Sequence, residues 1–232
     1  FGTDGIRGRS NTGVITPEIM IKLARATSIA CDFLGKKATI VIGKDTRLSG
    51  YMLESALTSG FISMGVNVVL IGPMPTPAIS MLVRSLRADL GMMISASHNP
   101  YYDNGVKFFQ SSGHKISSEL ERKIEQLMHT DLSGYVAEYH DLGKALKLGD
   151  ARGRYIEHVK YSFPPNLKLD GIKLVVDCAN GAAYDIAPKV FHELGAEVIA
   201  CEISPTGFNI NEKCGVMDSQ LLTQKVVEHK AD

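Results

Sequence analysis

Leu90-Gly91-Met92-Met93-Ile94 is an apolar run that leads directly into the polar loop Ser95-Ala96-Ser97-His98-Asn99-Pro100. Short apolar runs bounded by turn residues are typical of buried strands. Similar runs occur at Ala38–Ile42, Val66–Ile71, Ile172–Val176 and Ala196–Ile203. Segments with helical spacing separate them, and this alternation predicts an α/β fold in which a mainly parallel, mixed sheet is sandwiched by helices.

Helix boundaries follow from capping residues. Thr16 and Pro17 are typical of the N-cap and first position of a helix, and Ser118 with Glu121 has the spacing of a capping box. Between residues 130 and 150 the pattern loses clear periodicity, so we predict two similar consecutive α/β domains, 1–145 and 146–232. The last predicted helix runs from Asp218 to the end of the chain, and we therefore expect the second domain to be incomplete.

The chain has 232 residues, with 25 basic and 25 acidic side chains and a formal net charge of zero. Without excess positive charge, binding to nucleic acid by phosphate neutralisation is not expected. No apolar run approaches the roughly 18 residues that a membrane span needs. The four cysteines have neither zinc-ligand nor redox-pair spacing. We expect a soluble, cytoplasmic protein that binds neither nucleic acid nor membrane and captures anions with a few placed side chains.

The loop after Ile94 is the first candidate site. Ligands of open α/β sheets bind beyond the carboxyl ends of strands, where this loop is predicted to lie. Ser97 is a candidate nucleophile, but adjacent side chains of an extended loop diverge, so His98 is unsuited to activate it. Pro100 disfavours helical angles at Asn99 and keeps the loop exposed. From the residues alone, an ordinary polar strand-to-helix turn is an equal alternative.

Two glycine-containing stretches offer positive charge. Phe1–Gly8 has three glycines at three-residue spacing and Arg7, whose planar guanidinium suits a phosphate. Ile42–Gly50 carries Lys44 and Arg47 and leads into a helix N-terminus, which favours anions. Ordinary glycine turns and a solvated helix cap are the alternatives for these two stretches.

A third stretch, Asp103-Asn104-Gly105, predicts a tight turn. It precedes Val106-Lys107-Phe108-Phe109, where a lysine between apolar residues would normally point to solvent from a strand. Because Lys107 is only ten residues from Ser97, it could also fold back towards it.

Four stretches, taken in order and spacing, resemble the α-D-phosphohexomutase superfamily. They are F-G-T-D-G-I-R-G from Phe1, G-K-D-T-R-L-S-G from Gly43, I-S-A-S-H-N-P-Y-Y-D-N-G-V-K-F-F from Ile94 and V-D-C-A-N-G-A-A-Y from Val176. The resemblance covers essentially the whole chain, and S-A-S-H-N-P is highly specific. The first and third stretches favour the amino-sugar branch.

The resemblance implies an isomerase that interconverts glucosamine 6-phosphate and glucosamine 1-phosphate for amino-sugar nucleotide and cell-wall precursor synthesis. Ser97 would be phosphorylated, would donate its phosphoryl group to the sugar, and would take one back from a bisphosphate intermediate. Mg²⁺ would bind through the phosphate on Ser97. Arg7 would lie beside the phosphoserine, and Lys107 would transfer a proton or stabilise charge. The residues implied in shaping the loop or binding phosphate are His98, Asn99, Lys44 and Arg47.

The chain departs from the superfamily pattern in one respect. Family members carry a D-G-D-x-D-R metal loop shortly after the point where this chain reaches Asp232, and their sugar-selecting loops also lie in later domains. We therefore expect the missing carboxyl-terminal half to supply the other metal ligands, and the 232-residue chain alone to be inactive; a homodimer is one option for assembly. Phosphomannomutase or phosphoglucomutase activity, and a non-catalytic module that binds phosphosugars or a partner chain, are the alternatives.

Overall fold

The computed structural model describes residues 1–2 and 5–232; Thr3 and Asp4, which belong to the opening glycine stretch, lie outside the described residues. Contacts divide the chain into two units. Unit 1 comprises Phe1–Asp45, Ser49–Ala96 and Tyr102–Leu148, and unit 2 comprises Thr46–Leu48, Ser97–Tyr101 and Gly149–Asp232. Two short loops from the first half of the chain thus group with unit 2. The division predicted after residue 145 stays a prediction.

A mixed sheet forms the centre of unit 1. Its described strands are β1 (Ile6–Arg9), β2 (Thr39–Lys44), β3 (Asn67–Pro73), β4 (Leu90–Ile94), β5 (Asp103–Gln110) and β6 (Ala145–Lys147). They are ordered β1-β5-β4-β2-β3-β6, with β5 antiparallel to both of its neighbours and the other pairs parallel. The carboxyl ends of β2 and β4 therefore meet at one edge, where the candidate loops begin.

Helices cover both faces of this sheet. They are α1 (Pro17–Ala30), α2 (Ser49–Ile62), α3 (Thr76–Ser85) and α4 (Ser118–Leu127). Ile42 and Met92 belong to the core cluster that includes α1 and α2. The alternate residue Gly91 faces α3, where a Cβ atom would lie 2.4 Å from Val83 Cγ2. The predicted sheet sandwiched by helices is thus confirmed.

Helix starts test the capping predictions directly. Thr16 caps α1, with its side chain accepting from Ile19 N at 3.4 Å, as predicted. The cap of α4 is Ser117, which accepts from Leu120 N at 3.2 Å, so the predicted Ser118 capping box is wrong by one residue. Ser117 has the extended backbone that a cap requires, whereas Ser118 is already helical.

The predicted turn at Asp103-Asn104-Gly105 is also wrong, because all three residues lie in β5, opposite Arg9, Gly8 and Arg7 of β1. The chain reverses earlier, between β4 and β5. The buried Asn104 donates from Nδ2 to Ser49 Oγ at 2.8 Å and accepts from Gly105 N at 2.8 Å. These bonds satisfy its amide inside the sheet, so a residue typical of turns is accommodated in a strand.

Unit 2 has a second α/β arrangement. Its described elements are α5 (Ala151–Lys160), β7 (Lys173–Asp177), α6 (Ile186–Glu193), β8 (Glu197–Cys201) and α7 (Gln220–His229). The two strands are parallel, with Asp177 opposite Cys201, and they contact α7 and α6 respectively. Among residues 1–2 and 5–232, no helix combines the length and apolar character needed to cross a membrane.

Candidate functional site

Ser97 lies in the loop that follows β4, within unit 2. Its backbone is left-handed, with φ of 56°, and its side chain and that of His98 are exposed. A serine is rarely held in this conformation, so the surroundings must fix it. Asn99 is half-buried beside it.

Arg47 fixes this loop from the buried side. The side chain has no exposed surface, and its guanidinium donates to the carbonyl oxygens of Ser97 at 2.8 Å, Asn99 at 3.0 Å and Pro100. A planar guanidinium with several donors suits such a cluster of oxygens, whereas a lysine would offer a single point charge. The structure thus brings together Ser97, Asn99 and Arg47.

Asn211 also holds the loop, and the sequence patterns did not single it out. Its side-chain Nδ2 donates to the carbonyl oxygens of Ser97 and Asn99, both at 3.1 Å. The same segment packs the Phe208 ring edge-on against Tyr101, with centroids 5.5 Å apart. Asn211 lies in an asparagine-containing stretch that resembles an ordinary turn, so only the tertiary structure shows its contact with the loop.

The V-D-C-A-N-G stretch supports this part of unit 2. Asp177 accepts from Ala179 N at 2.8 Å and from Gly215 N at 2.7 Å. Thr46, beside Arg47, donates its hydroxyl to the carbonyl of Asn180. Burial, followed by the charge of Asp177, raises the pKa of the Cys178 thiol to about 11. The motif thus has a structural role, because it connects the loop that contains Thr46 with the loop that follows β7.

The carboxyl ends of β2 and β4 are joined in unit 1. Ser95 Oγ donates to Asp45 Oδ2 at 2.7 Å, and Asp45 N donates to the Ile94 carbonyl at 3.0 Å. Both side chains are buried. A buried carboxylate with hydrogen-bond donors gives a fixed connection between the starts of the two candidate loops.

Lys44 lies next to this connection, but its ammonium group faces inward. Lys44 is 4% exposed, and its Nζ is 2.6 Å from Glu54 Oε2 and 3.9 Å from the centroid of the Tyr51 ring. The structure therefore places it in a buried ion pair of unit 1. Its predicted part in phosphate binding stays a prediction.

Arg7 and Lys107 lie on the same face of the β1–β5 pair in unit 1. Arg7 is opposite Gly105, and Lys107 is two residues beyond Gly105 on the same strand. Such diagonal neighbours lie about 7–8 Å apart, within reach of long side chains. A Cβ atom on Gly105 would be 2.8 Å from Arg7 Cγ, so the glycine leaves room for the arginine stem. The pairing of these strands thus gathers two cations that the sequence separates by a hundred residues.

Known proteins share this arrangement of elements. Residues 1–134 match the family model described as phosphoglucomutase/phosphomannomutase, alpha/beta/alpha domain I. Curated proteins named phosphoglucosamine mutase from Granulibacter bethesdensis and Rhodospirillum centenum are each 56% identical to this chain over 100% of its length. The chain spans about half the length of these relatives, 51% and 50% respectively.

A solved structure supports the fold independently. A phosphoglucomutase/phosphomannomutase family protein from Burkholderia thailandensis matches 98% of this chain and 50% of its own, with a TM-score of 0.81 and 24% identity. The family model covers more than half of the 232 residues and includes the loop that carries Ser97. The chain therefore belongs to the phosphoglucomutase/phosphomannomutase family.

Proposed function

We propose that the protein to which this chain belongs interconverts glucosamine 6-phosphate and glucosamine 1-phosphate, with Ser97 as the carrier of the phosphoryl group. The observation that carries the proposal is the state of the loop after β4: Ser97 is exposed and left-handed, while the buried Arg47 holds the carbonyl oxygens behind it. A side chain that exchanges phosphoryl groups with a sugar must be accessible and fixed in direction. The identity of 56% to proteins named phosphoglucosamine mutase supports the choice of sugar.

The proposed reaction has two transfers. In the first, the C1 hydroxyl oxygen of glucosamine 6-phosphate attacks the phosphorus of phospho-Ser97; the new P–O bond forms as the bond from phosphorus to Oγ breaks, and the hydroxyl proton passes to Oγ. In the second, Oγ attacks the phosphorus of the 6-phosphate of the bisphosphate. The bond from phosphorus to O6 breaks, the proton of Oγ passes to O6, and glucosamine 1-phosphate is released as phospho-Ser97 is restored. Catalysis of such transfers depends on alignment and positive charge. In this proposal Lys107 transfers a proton or stabilises charge, Arg7 lies beside the phosphoserine and adds positive charge, and His98 and Asn99 shape the loop.

Mg²⁺ is the proposed cofactor, and the described residues alone do not fit a complete site for it. Within residues 1–2 and 5–232, no group of three or more His, Cys, Asp or Glu side chains could hold a metal ion. The ion would therefore need the phosphate on Ser97 together with ligands from the part of the relatives that this chain does not match.

Mannose or glucose phosphates are the second candidate substrates, because the matching family model is described by phosphoglucomutase and phosphomannomutase. Comparing kcat/KM of the natural full-length protein on the three sugar phosphates separates these activities. The highest value for glucosamine phosphate is expected, and a higher value for mannose or glucose phosphate would overturn the choice of sugar.

Ser97→Ala tests the phosphoryl carrier. We expect the variant of the full-length protein to lose turnover and the mass of one phosphoryl group, whereas Ser112→Ala, at an exposed serine of unit 1, should keep both. The 232-residue chain alone is expected to show no turnover. Phosphate that persists on the Ser97→Ala protein would show that another residue is the carrier.

A further inference from the structure

The loop that carries Ser97 is held by donors acting on its carbonyl oxygens. Arg47 donates to the oxygens of Ser97, Asn99 and Pro100, and Asn211 donates to those of Ser97 and Asn99. Two side chains from distant parts of the sequence thus bind the same oxygens. Because both act as donors, they turn the acceptor side of the loop backbone towards the protein.

The opposite side of the peptide groups must then face outward. In a planar trans peptide the N–H points opposite to the C=O, and the described residues contain no cis peptide bond. The carbonyl of Ser97 and the N–H of His98 belong to one peptide group, so this N–H points away from Arg47 and Asn211. A backbone N–H directed outward can donate to an anion beside the loop. The peptide group of the Asn99 carbonyl offers no such donor, because Pro100 lacks a backbone N–H.

Asn211 is itself held in position. Its backbone N–H donates to the Ala179 carbonyl at 3.0 Å, and its own backbone is left-handed, with φ of 58°. Asp177 binds both Ala179 N and Gly215 N, on either side of this contact. An ordered segment therefore holds the Asn211 side-chain amide next to the loop, and this reduces the conformational entropy that is lost when the two hydrogen bonds form.

We propose that Asn211 is a positioning residue for phosphoryl transfer; the inference rests on the proposed function. By holding the carbonyls of Ser97 and Asn99 inward, its amide keeps the His98 N–H directed to the side on which the phosphoryl group of Ser97 lies. The Asn211 amide acts on the orientation of the loop, and it does not touch the sugar.

Asn211→Asp in the natural full-length protein is the sharpest change. The carboxylate has the shape of the amide and tolerates the same left-handed backbone, but it places an acceptor against two carbonyl oxygens. Asn11→Asp is the matched control, because Asn11 is exposed, has φ of 59° and makes no side-chain hydrogen bond to any residue that the structure describes. Both variants are first compared with the wild type by thermal unfolding.

Two readouts separate positioning from a general structural part. Amide hydrogen exchange of the peptide covering residues 97–102 should be about 30-fold faster in Asn211→Asp, since two hydrogen bonds of ordinary net strength that hold the loop closed are lost. The kcat should fall by about 10- to 100-fold with KM nearly unchanged, because an interaction that matters mainly in the transition state is lost. Asn11→Asp should alter neither quantity. If Asn211→Asp does not fold, Asn211→Gly removes the amide while keeping the backbone accessible, and the same directions are expected.

The outcomes are distinguishable. In an active enzyme, unchanged loop exchange or an unchanged kcat in Asn211→Asp would overturn this inference and leave the proposed function intact. A wild-type full-length protein without turnover on any of the three sugar phosphates would overturn the proposed function, and the inference with it.

Discussion

Replacing Arg47 with methionine should destabilise the protein by about 3 kcal/mol. Arg47 is buried and donates to three carbonyl oxygens, of which Asn211 still serves those of Ser97 and Asn99 in the variant. The Pro100 oxygen loses this donor, and a hydrogen bond from a charged group contributes about 1.5–3 kcal/mol. Losing the guanidinium's hydrogen bonds to the Ser97 and Asn99 oxygens adds about 1 kcal/mol more, since each of these oxygens keeps its hydrogen bond from Asn211. Methionine preserves much of the apolar stem, so the change isolates the guanidinium.

Thermal unfolding followed by circular dichroism measures this effect. For a chain of this size, each 1 kcal/mol shifts Tm by about 2–4 °C, which predicts a fall of roughly 6–12 °C. Arg84→Met is the control: Arg84 is exposed and donates to Ser80 O at 3.4 Å, so its loss should change stability by less than about 0.5 kcal/mol. A Tm for Arg47→Met within about 1 °C of the wild type would refute the reasoning that this arginine holds the loop.

A glycine substitution and the alkylation of a cysteine test the packing of the two units. In a urea titration, Gly105→Ala should lower the free energy of unfolding by about 2 kcal/mol or more, because the new Cβ would lie 2.5 Å from the backbone oxygen of Ile6. Gly134→Ala is the control and should be nearly neutral, because a Cβ there would have nothing within 4 Å. Equal effects of the two substitutions would contradict the argument. Alkylation of Cys178 at pH 8, followed by peptide mass spectrometry, should be at least about 100-fold slower than for a free thiol and should recover in urea, because its pKa is raised from 9.0 to about 11. Labelling of the folded protein at the rate of a free thiol would contradict the raised pKa. Because the pKa of Cys178 is higher in the folded protein than in the unfolded one, the stability that the neutral thiol contributes is fully present below pH 9 and is lost as the pH rises towards 11.

Local patterns predicted the buried elements well. Leu90–Ile94 is a strand with the predicted ends, and Thr16 caps α1, because each depends on residues close in sequence. The strand β6 (Ala145–Lys147) was missed, since all three of its residues are exposed and leave no buried face to give a pattern. Asp103-Asn104-Gly105 misled the prediction because the close approach of β1 requires a glycine at position 105 in the middle of a sheet.

The candidate site shows a similar division. The motif stretches pointed to Ser97 and Arg47, which the structure brings into direct contact. The ion pair of Lys44 with Glu54 could not be predicted from sequence, because it depends on how α2 packs against β2 in the folded unit. Asn211 contacts a loop more than a hundred residues away, and such a pairing depends on the tertiary fold.

Because the backbone at position 97 is left-handed, the residue that would be most stable there differs from the residue that the proposed reaction needs. An L-residue with a side chain pays about 1 kcal/mol or more in this region relative to glycine. Glycine at position 97 would therefore relieve the strain and raise the melting temperature, but it would delete the hydroxyl oxygen on which the proposed transfer depends. A selection for thermal stability alone would favour the loss of this serine, whereas a selection for growth that depends on the enzyme would retain it.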